Sequence, residues 1–225
     1  MFSAVKVIGR GRVGGAVHAR LTEQGLAAGG AGGPGSGDAD LVLLCVPDSA
    51  IADVAATILP GPWVAHVSGA TPLTALAGHE RRFGLHPLQT FTCARGPEQL
   101  DGAWGAVTAE HDAARDRAHW LAGRLGLRPF DIRDESRAVY HAGAAMASNF
   151  LVTLYRAAAR LLESAGAPPE ALLPLMRRTI DNGFELTGPI ARGDVATVDA
   201  HIAAIHQAAP DLEALYRAMA QVTRV

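Results

Sequence analysis

Short apolar runs recur through the first 132 residues and alternate with segments of helical periodicity. Continuous apolar runs of this kind indicate strands that are buried on both faces of a parallel sheet. The predicted strands lie at 5–8, 41–46, 63–67, 104–109 and 128–132, and one further short strand ends near His86. The predicted helices cover 16–21, 49–59 and 113–125. This alternation predicts an α/β domain built on a doubly wound, mostly parallel sheet.

Beyond residue 132 the strand pattern stops and helical periodicity replaces it. One pattern runs from 134 to 165, begins with two acidic residues and is followed by Gly166 and a Pro-Pro pair. Acidic residues in the first turn, and glycine and proline after the last turn, are start and stop signals of a helix. Three further helices are predicted at 169–186, 195–207 and 211–223. The sequence therefore predicts an α/β domain at 1–132 and an all-helical domain at 133–225.

The composition narrows the class of protein. The chain has 225 residues, of which 49% are hydrophobic, and its net charge is −2. Such a balance lacks the positive surface by which proteins attract nucleic acid or an anionic membrane. Two cysteines make no disulfide framework, and the first residues lead into a strand rather than a signal peptide. We expect a cytoplasmic protein that binds neither nucleic acid nor membrane.

The nine histidines do not predict a metal site. His201 and His206 are five residues apart on a predicted helix, and this spacing places them on different faces. No second pair or carboxylate stands at ligand spacing from them.

The first predicted strand runs directly into a Gly-x-Gly-x-x-Gly turn, and a helix follows. In this order the first glycine allows a sharp turn, the second allows a pyrophosphate to approach, and the third allows close packing of helix and strand. The helix N-terminus then binds the anion. The candidate cofactor-binding residues here are Gly9, Arg10, Gly11, Arg12, Val13 and Gly14. The alternative is a tight strand–helix connection that binds nothing.

The segment at 25–37 is nearly low complexity in glycine and alanine, and it predicts an eroded second strand. In a regular dinucleotide-binding unit this strand ends in an acidic residue that binds the adenosine ribose. No acidic residue lies between Glu23 and Asp38. This favours NADP over NAD, with Arg10 or Arg12 binding the extra phosphate, and it also permits a vestigial site.

Polar and turn residues follow the next strands. Ligands of open α/β sheets lie outside the carboxyl ends of the strands, which predicts more cofactor contacts near the glycine turn. These candidates are Val46, Pro47, Ser68 and Gly69, although the same residue types are common in ordinary turns.

Farther along, His86 is a candidate proton donor, and Gln89 and Thr90 are candidates for binding a carbonyl or carboxylate. His86 could instead cap a backbone carbonyl.

Three polar residues, His141, Ser148 and Asn149, are spaced to share one face of the long predicted helix. Burying these polar side chains among small residues is unfavourable unless a ligand supplies their hydrogen-bond partners. Small residues on a helix also allow tight helix packing, which is the alternative explanation. His141 is a candidate proton donor, with His86 as its rival, and Ser148 and Asn149 could orient a substrate. Arg192 is a candidate carboxylate clamp, or else a solvated arginine.

Several motifs together carry a family resemblance. They are the glycine turn and the segments at 46–48, 67–70, 85–91, 146–149 and 187–194. Over nearly its whole length the chain resembles a bacterial group of predicted oxidoreductases that have a Rossmann-like N-terminal domain and a helical C-terminal domain of unknown function. That group is similar to the 6-phosphogluconate-dehydrogenase-like superfamily. The resemblance implies this two-domain fold, a nicotinamide cofactor that is usually NADP, a site between the domains, and homodimers formed through the helical domain.

Two local matches refine the resemblance. The segment at 84–87 looks like the Gly-x-His-Pro of prephenate dehydrogenases, and the segment at 193–199 is similar to a stretch of ketopantoate reductases. The lysine that β-hydroxyacid dehydrogenases place four residues before the central-helix asparagine is replaced by Ala145. The resemblance implies an NADP-dependent oxidoreductase that reduces a small carbonyl or imine carboxylic acid, with a ketopantoate-like substrate first. The alternative is a non-catalytic nucleotide or metabolite sensor that retains the fold.

Overall fold

The computed structural model describes residues 1–28 and 39–223. The chain divides into two compact units, Met1–Ala145 and Met146–Val225. The division into functional domains at residues 132–133 stays a prediction.

The first unit contains a six-stranded sheet. Its strands are Val5–Ile8 (β1), Leu41–Leu44 (β2), Trp63–His66 (β3), Arg82–Leu88 (β4), Trp104–Thr108 (β5) and Arg128–Asp131 (β6). They lie in the spatial order β1-β2-β3-β4-β5-β6. Neighbouring strands are parallel, except that β4 and β5 are antiparallel. The predicted mostly parallel sheet is therefore confirmed.

The described helices of the first unit are Arg12–Glu23 (α1), Ile51–Ala56 (α2), Asp112–Leu125 (α3) and Arg137–Ala145 (α4). The helix predicted at 49–59 is shorter than expected, since a 3-10 turn at Asp48–Ala50 precedes α2.

Both faces of the sheet are covered. Leu41 and Leu43 of β2 belong to one apolar cluster, which includes residues of α1 and α3. Val42 and Leu44 point the other way and pack with Ile51 and other residues around α2. Because successive side chains of a strand point to opposite faces, an all-apolar strand needs a cover on each side. This is why the run at β2 gives a doubly wound sheet.

The described residues at 25–28 add one short contact to the sheet. Ala27 forms a single parallel bridge with Val5, on the side of β1 that does not face β2. The amide of Val5 donates to Leu26 at 2.8 Å, and the amide of Ala28 donates to Val5 at 2.9 Å. The rest of the tract in which an eroded strand was predicted, 29–37, lies outside the described residues.

The second unit is helical throughout its regular elements. A π-helix at Met146–Phe150 is followed by Leu151–Ser164 (α5), Leu172–Asp181 (α6), Val195–Ala208 (α7) and Glu213–Thr223 (α8). α5 packs against α6 and α7, and α7 packs against α8. Among the described helices, none is both long and apolar enough to cross a membrane.

The prediction of one regular α-helix over 134–165 is wrong in detail. The segment begins with a 3-10 turn at Asp134–Ser136, continues as α4, and widens into the π-helix before α5. A π turn contains about one residue more than an α turn. A pattern with a 3.6-residue period does not reveal this extra residue, because the apolar content remains helical on both sides of it.

Candidate functional site

The three glycines of the turn after β1 differ in their surroundings. Gly9 has a φ of +101°, and a side chain there would overlap the carbonyl of Cys45. A side chain at Gly14 would overlap the carbonyl of Gly9 and the Cβ of Cys45. A Cβ at Gly11, by contrast, would meet no described atom within 4 Å. The first and third glycines are thus required by the turn and its packing, whereas Gly11 leaves open space at the start of α1.

The N-terminus of α1 is suited to an anion. Gly11 is the N-cap residue, no side chain caps the helix, and its first turn has no acidic residue. Arg10 and Arg12 are exposed, and neither forms an ion pair with another described residue. Val13 is half-buried and packs against the apolar cluster beneath. Unpaired amides and the helix dipole, flanked by two arginines, favour a phosphate group at this position.

The loops that follow the first three strands lie side by side. The amide of Cys45 donates to Ile8 at 2.7 Å, and the amide of Val67 donates to Leu44 at 3.2 Å. Because β1, β2 and β3 are parallel, these loops meet at one edge of the sheet. The structure therefore brings the candidates Val46 and Pro47, of which Pro47 is exposed, next to the glycine turn.

The third of these loops is a tight turn organised by Ser68. Its buried hydroxyl accepts the amides of Ala70 and Thr71, at 3.2 and 2.9 Å, and lies 2.9 Å from the hydroxyl of Thr71. Ser68 is thus engaged in ordinary turn chemistry through its side chain. A role in cofactor binding stays a prediction for this residue.

Gly69, in the same turn, faces a pair of histidines. A Cβ at Gly69 would overlap Cδ2 of His141 and would lie 3.0 Å from both Cε1 and Nε2 of His86. The two rings are nearly perpendicular, with centroids 5.7 Å apart. Only a glycine lets both rings approach this loop so closely. The two candidate proton donors, which are far apart in sequence, therefore lie together beside the carboxyl end of β3.

Tyr140, which precedes His141 on α4, completes the cluster. Its hydroxyl lies 2.7 Å from Nδ1 of His86. Burial lowers the pKa of His86 to about 4, with the charges of His141 and Arg137 acting in the same direction. Burial raises the pKa of Tyr140 to about 12. At neutral pH the imidazole of His86 is uncharged and the phenol keeps its proton.

A buried arginine lies beneath these rings. Arg137 is 1% exposed, and its guanidinium donates to the hydroxyl of Thr108 at 2.6 Å and to the carbonyl of Ser68. Its Nε has no hydrogen-bond partner among the described residues. Burial lowers the pKa of Arg137, although Asp134 and other groups oppose this shift. Arg137 thus ties the Ser68 turn and β5 to the first turn of α4.

His66, at the end of β3, is fully buried, and neither of its ring nitrogens has a partner among the described residues. Burial is the main cause that lowers its pKa to about 3, so the ring is neutral.

Sequence reasoning missed the roles of His66, Arg137 and Tyr140. Arg137 and Tyr140 stand at the start of a helix, where an arginine and a tyrosine are usually taken as surface residues.

The remaining candidates of the first unit, Gln89 and Thr90, follow β4 and are exposed. The amide of Thr90 donates to the side-chain oxygen of Gln89 at 2.8 Å. They lie just past the end of the strand that carries His86. The alternative role for His86, as a cap on a backbone carbonyl, is not what the ring does, since its Nδ1 bonds the hydroxyl of Tyr140.

Three candidates belong to the second unit. Ser148 and Asn149 lie in the π-helix, and the Ser148 hydroxyl is 3.4 Å from Oδ1 of Asn149. Arg192 is exposed and lines a surface pocket with Asp194 and Val198. The prediction that Ser148 and Asn149 share a helix face with His141 rested on α-helical spacing, whereas the structure places these two residues in a π turn. Their joint role with His141 stays a prediction.

Comparisons with known proteins agree on the fold. A candidate NADP oxidoreductase from Bacteroides fragilis superposes with a TM-score of 0.80 at 22% identity, covering 99% of this chain and 98% of that one. A Thermotoga maritima protein gives 0.76 at 23% identity, covering 98% and 97%. An Aspergillus terreus reductive aminase, solved with NADPH and ethyl levulinate, gives 0.68 at 15% identity, covering 100% and 95%. At such identities the likeness shows a shared fold.

None of the curated proteins matches the chain. A family model does match, over residues 103–223, and its description is "Domain of unknown function (DUF2520)". The match covers more than half of the chain, from the strand that precedes α3 to the end of α8. The protein therefore belongs to the DUF2520 family, and it shares its fold with the three solved proteins above.

Proposed function

We propose that this protein is an NADP-dependent oxidoreductase that reduces a small carbonyl or imine carboxylic acid. The observation that carries the proposal is a juxtaposition at one edge of the sheet. The glycine turn, with open space at Gly11, follows β1, and the paired rings of His86 and His141 lie against Gly69 in the loop that follows β3, two strands along in the same sheet. An anion-binding helix terminus and two proton-carrying side chains at the same carboxyl-terminal end of a parallel sheet are the arrangement that a nicotinamide-dependent reductase needs.

The residues of the first unit fit a dinucleotide. The pyrophosphate would bind at Gly11 and the N-terminus of α1, where no side chain blocks it. Arg10 and Arg12 would bind the 2′-phosphate that distinguishes NADP from NAD. Val46, Pro47 and Gly69 would line the path along the strand ends. When bound, the nicotinamide supplies the hydride.

The chain's own side chains would supply the proton and the orientation. His86 or His141 would donate the proton to the carbonyl oxygen or imine nitrogen. Ser148 and Asn149 would orient the substrate. A carboxylate of the substrate would be bound by Gln89, Thr90 or Arg192. A ketopantoate-like acid heads the list of substrates, and cyclic imines follow.

The second unit is proposed to pair with a second copy of the chain. It exposes many large apolar side chains, more than single scattered residues would give. They include Met146, Phe150, Val152, Leu175, Ile180 and Phe184, each at least 48% exposed. A homodimer that buries these helices would remove this surface from water.

We propose the reducing cytoplasm as the compartment of the protein, because Cys45 and Cys93 are free cysteines.

The test begins with fluorescence titrations of the purified protein with NADPH and, separately, NADH. Micromolar binding that favours NADPH, followed by NADPH oxidation with ketopantoate or a cyclic imine, would support the proposal. In His141→Ala, loss of turnover with unchanged NADPH affinity would assign the proton donation to His141, whereas unchanged turnover would leave it to His86. The matched control is His119→Ala, because His119 lies on α3 and bonds Asp131 at 2.9 Å.

Two outcomes would contradict the reductase. If neither nucleotide binds, the glycine turn is a structural relic, and a metabolite sensor becomes the better assignment. If NADPH binds but no substrate of the panel is reduced, a non-catalytic nucleotide-binding role is favoured.

A further inference from the structure

The hydroxyl of Tyr140 holds one side of the His86 ring. It lies 2.7 Å from Nδ1, and the two rings are close to perpendicular, with centroids 5.6 Å apart. The phenol ring also packs edge-on against Phe130 of β6, at a centroid distance of 6.0 Å. Arg137, one helical turn earlier on α4, anchors the helix to the Ser68 turn. Tyr140 therefore contacts His86 on one side and Phe130 on the other, on a helix whose first turn is anchored by Arg137.

The direction of this hydrogen bond follows from the chemistry of the two groups. Tyr140 keeps its proton at neutral pH, since burial raises its pKa to about 12. A bare imidazole nitrogen is a better acceptor than a phenol oxygen, and a phenol is a good donor. The hydroxyl therefore donates and Nδ1 of His86 accepts. The single proton of the neutral ring is then on Nε2.

The Nε2 edge of the ring faces the candidate site. It lies beside Gly69 and next to the ring of His141. Nε2 forms no hydrogen bond with another described residue, so its proton is not engaged within the described part of the chain.

We propose that Tyr140 is a positioning residue that holds His86 in the tautomer with its proton on Nε2, ready for donation to the substrate. This inference deepens the proposed function, on which its substrate side rests. As the substrate atom opposite the newly formed C–H bond takes the Nε2 proton, the hydroxyl proton of Tyr140 passes to Nδ1. The imidazole thus stays neutral throughout. The phenolate is stabilised by Arg137 and regains a proton from solvent.

The charged and titratable groups around His86 favour this relay over a stored imidazolium. His141 and Arg137 on α4 disfavour a second proton on the ring, whereas Asp48 after β2 favours it more weakly. His66 on β3 and Tyr140 are the other titratable groups nearby. Because the ring is neutral above about pH 4, its donor capacity should not change between pH 5 and 8.

The test is ¹⁵N NMR of the histidine-labelled protein without nucleotide, with the His86 signals assigned from their loss in His86→Gln. We expect Nδ1 to appear as an unprotonated nitrogen and Nε2 as a protonated one from pH 5 to 8. In Tyr140→Phe the two tautomers should mix, so both signals should move toward intermediate shifts. A protonated Nδ1 in the wild type, or unchanged His86 signals in Tyr140→Phe, would overturn the inference.

The chain offers a matched control in the second unit. Tyr216 makes the same contact with His201, at 2.8 Å from Nδ1, with rings at 86°. Tyr216→Phe should move the His201 signals and leave those of His86 in place. If it moved both sets equally, the Tyr140 effect would be non-specific and the inference would fail.

A kinetic measurement separates this inference from the proposed function. In an active preparation, Tyr140→Phe should lower kcat by roughly tenfold or more, part of the ~10²–10⁴-fold that a proton donor contributes. KM and NADPH affinity should stay within about twofold, because the hydroxyl is not proposed to touch substrate or nucleotide. An unchanged kcat would overturn the relay. A wild type that never turns over would overturn the proposed function and the relay, while the tautomer would still be decided by NMR.

Discussion

Substitutions of Arg137 give a sharp prediction about the free energy of unfolding. One variant can remove the buried charge together with its hydrogen bonds, and another can keep the charge and lose only the hydrogen bonds. Its guanidinium is buried, donates to Thr108 and Ser68, and forms no ion pair with a described carboxylate. Both acceptors are in buried residues. Arg137→Met keeps the apolar stem and leaves the two acceptors without donors, at about 1–3 kcal/mol each. It also removes an unpaired buried charge, whose desolvation costs roughly several kcal/mol.

These opposing effects set an order between two variants. For Arg137→Met the loss of roughly 4 kcal/mol is offset in part, and we expect a net destabilisation of about 2 kcal/mol. Arg137→Lys keeps the buried charge on a side chain that cannot reach both acceptors as a fork. We expect it to cost about 4 kcal/mol, in the range for a broken buried charge network. The conservative variant should therefore be the less stable one.

The assay is urea unfolding followed by tryptophan fluorescence. All three tryptophans, Trp63, Trp104 and Trp120, lie in the first unit, so the signal reports on the unit that contains Arg137. The free energy of unfolding is compared at equal m values, because a changed m would signal a different unfolding reaction. A lysine variant as stable as the wild type, or more stable than the methionine variant, would refute the reasoning about the unpaired charge.

Four further predictions concern the turns and the buried histidine. Gly11→Ala should leave the unfolding free energy within about 0.5 kcal/mol, because its Cβ meets only open space. It should weaken NADPH binding in a fluorescence titration, because that space is the proposed position of the pyrophosphate. Gly14→Ala should destabilise the fold by about 1–3 kcal/mol, because its Cβ overlaps described atoms, and equal stability of the two variants would contradict both assignments. Gly69→Ala should displace the ring of His141 and so lower turnover far more than NADPH affinity; unchanged kinetics would show that the ring contacts are unimportant. Finally, His66 has a pKa of about 3 in the folded protein and about 6.5 in the unfolded chain. Below pH 6.5 the unfolded chain therefore binds more protons than the folded protein, and the free energy of unfolding decreases as the pH is lowered. Between pH 7 and pH 5, His66 should lower the free energy of unfolding by about 2 kcal/mol, and His66→Leu should remove this loss in urea titrations at the two pH values. An unchanged pH dependence in His66→Leu would show that another group causes the loss of stability.

The sequence predicted those features whose causes are local. Leu41–Leu44 could be recognised as a central strand because all four residues are apolar. The glycines at 9 and 14 could be recognised because the backbone conformation and packing they allow are available to few other residues. Both kinds of signal lie within a few residues of the feature that they determine.

The contacts that build the histidine cluster could not be predicted in the same way. His86 and Tyr140 are 54 residues apart, and Arg137 and Ser68 are 69 apart. These contacts depend on how α4 packs against the Ser68 turn and β4, and the periodicity of the sequence gives no information about that packing. The π-helix was missed for a different reason, since an extra residue in one turn leaves the helical pattern on either side intact.

The proline in β6 has a consequence for how the protein behaves when it is concentrated. The amides of Arg128 and Ile132 donate to the carbonyls of Ala103, just before β5, and of Val107 in β5, at 2.8 Å each. Since the amides of a parallel strand alternate in direction, the nitrogen of Pro129 faces away from β5 and has no hydrogen to offer. A strand from another molecule would find one donor fewer along this edge of the sheet, flanked by the charges of Arg128 and Asp131. The edge is thereby protected against strand addition and the aggregation that follows from it.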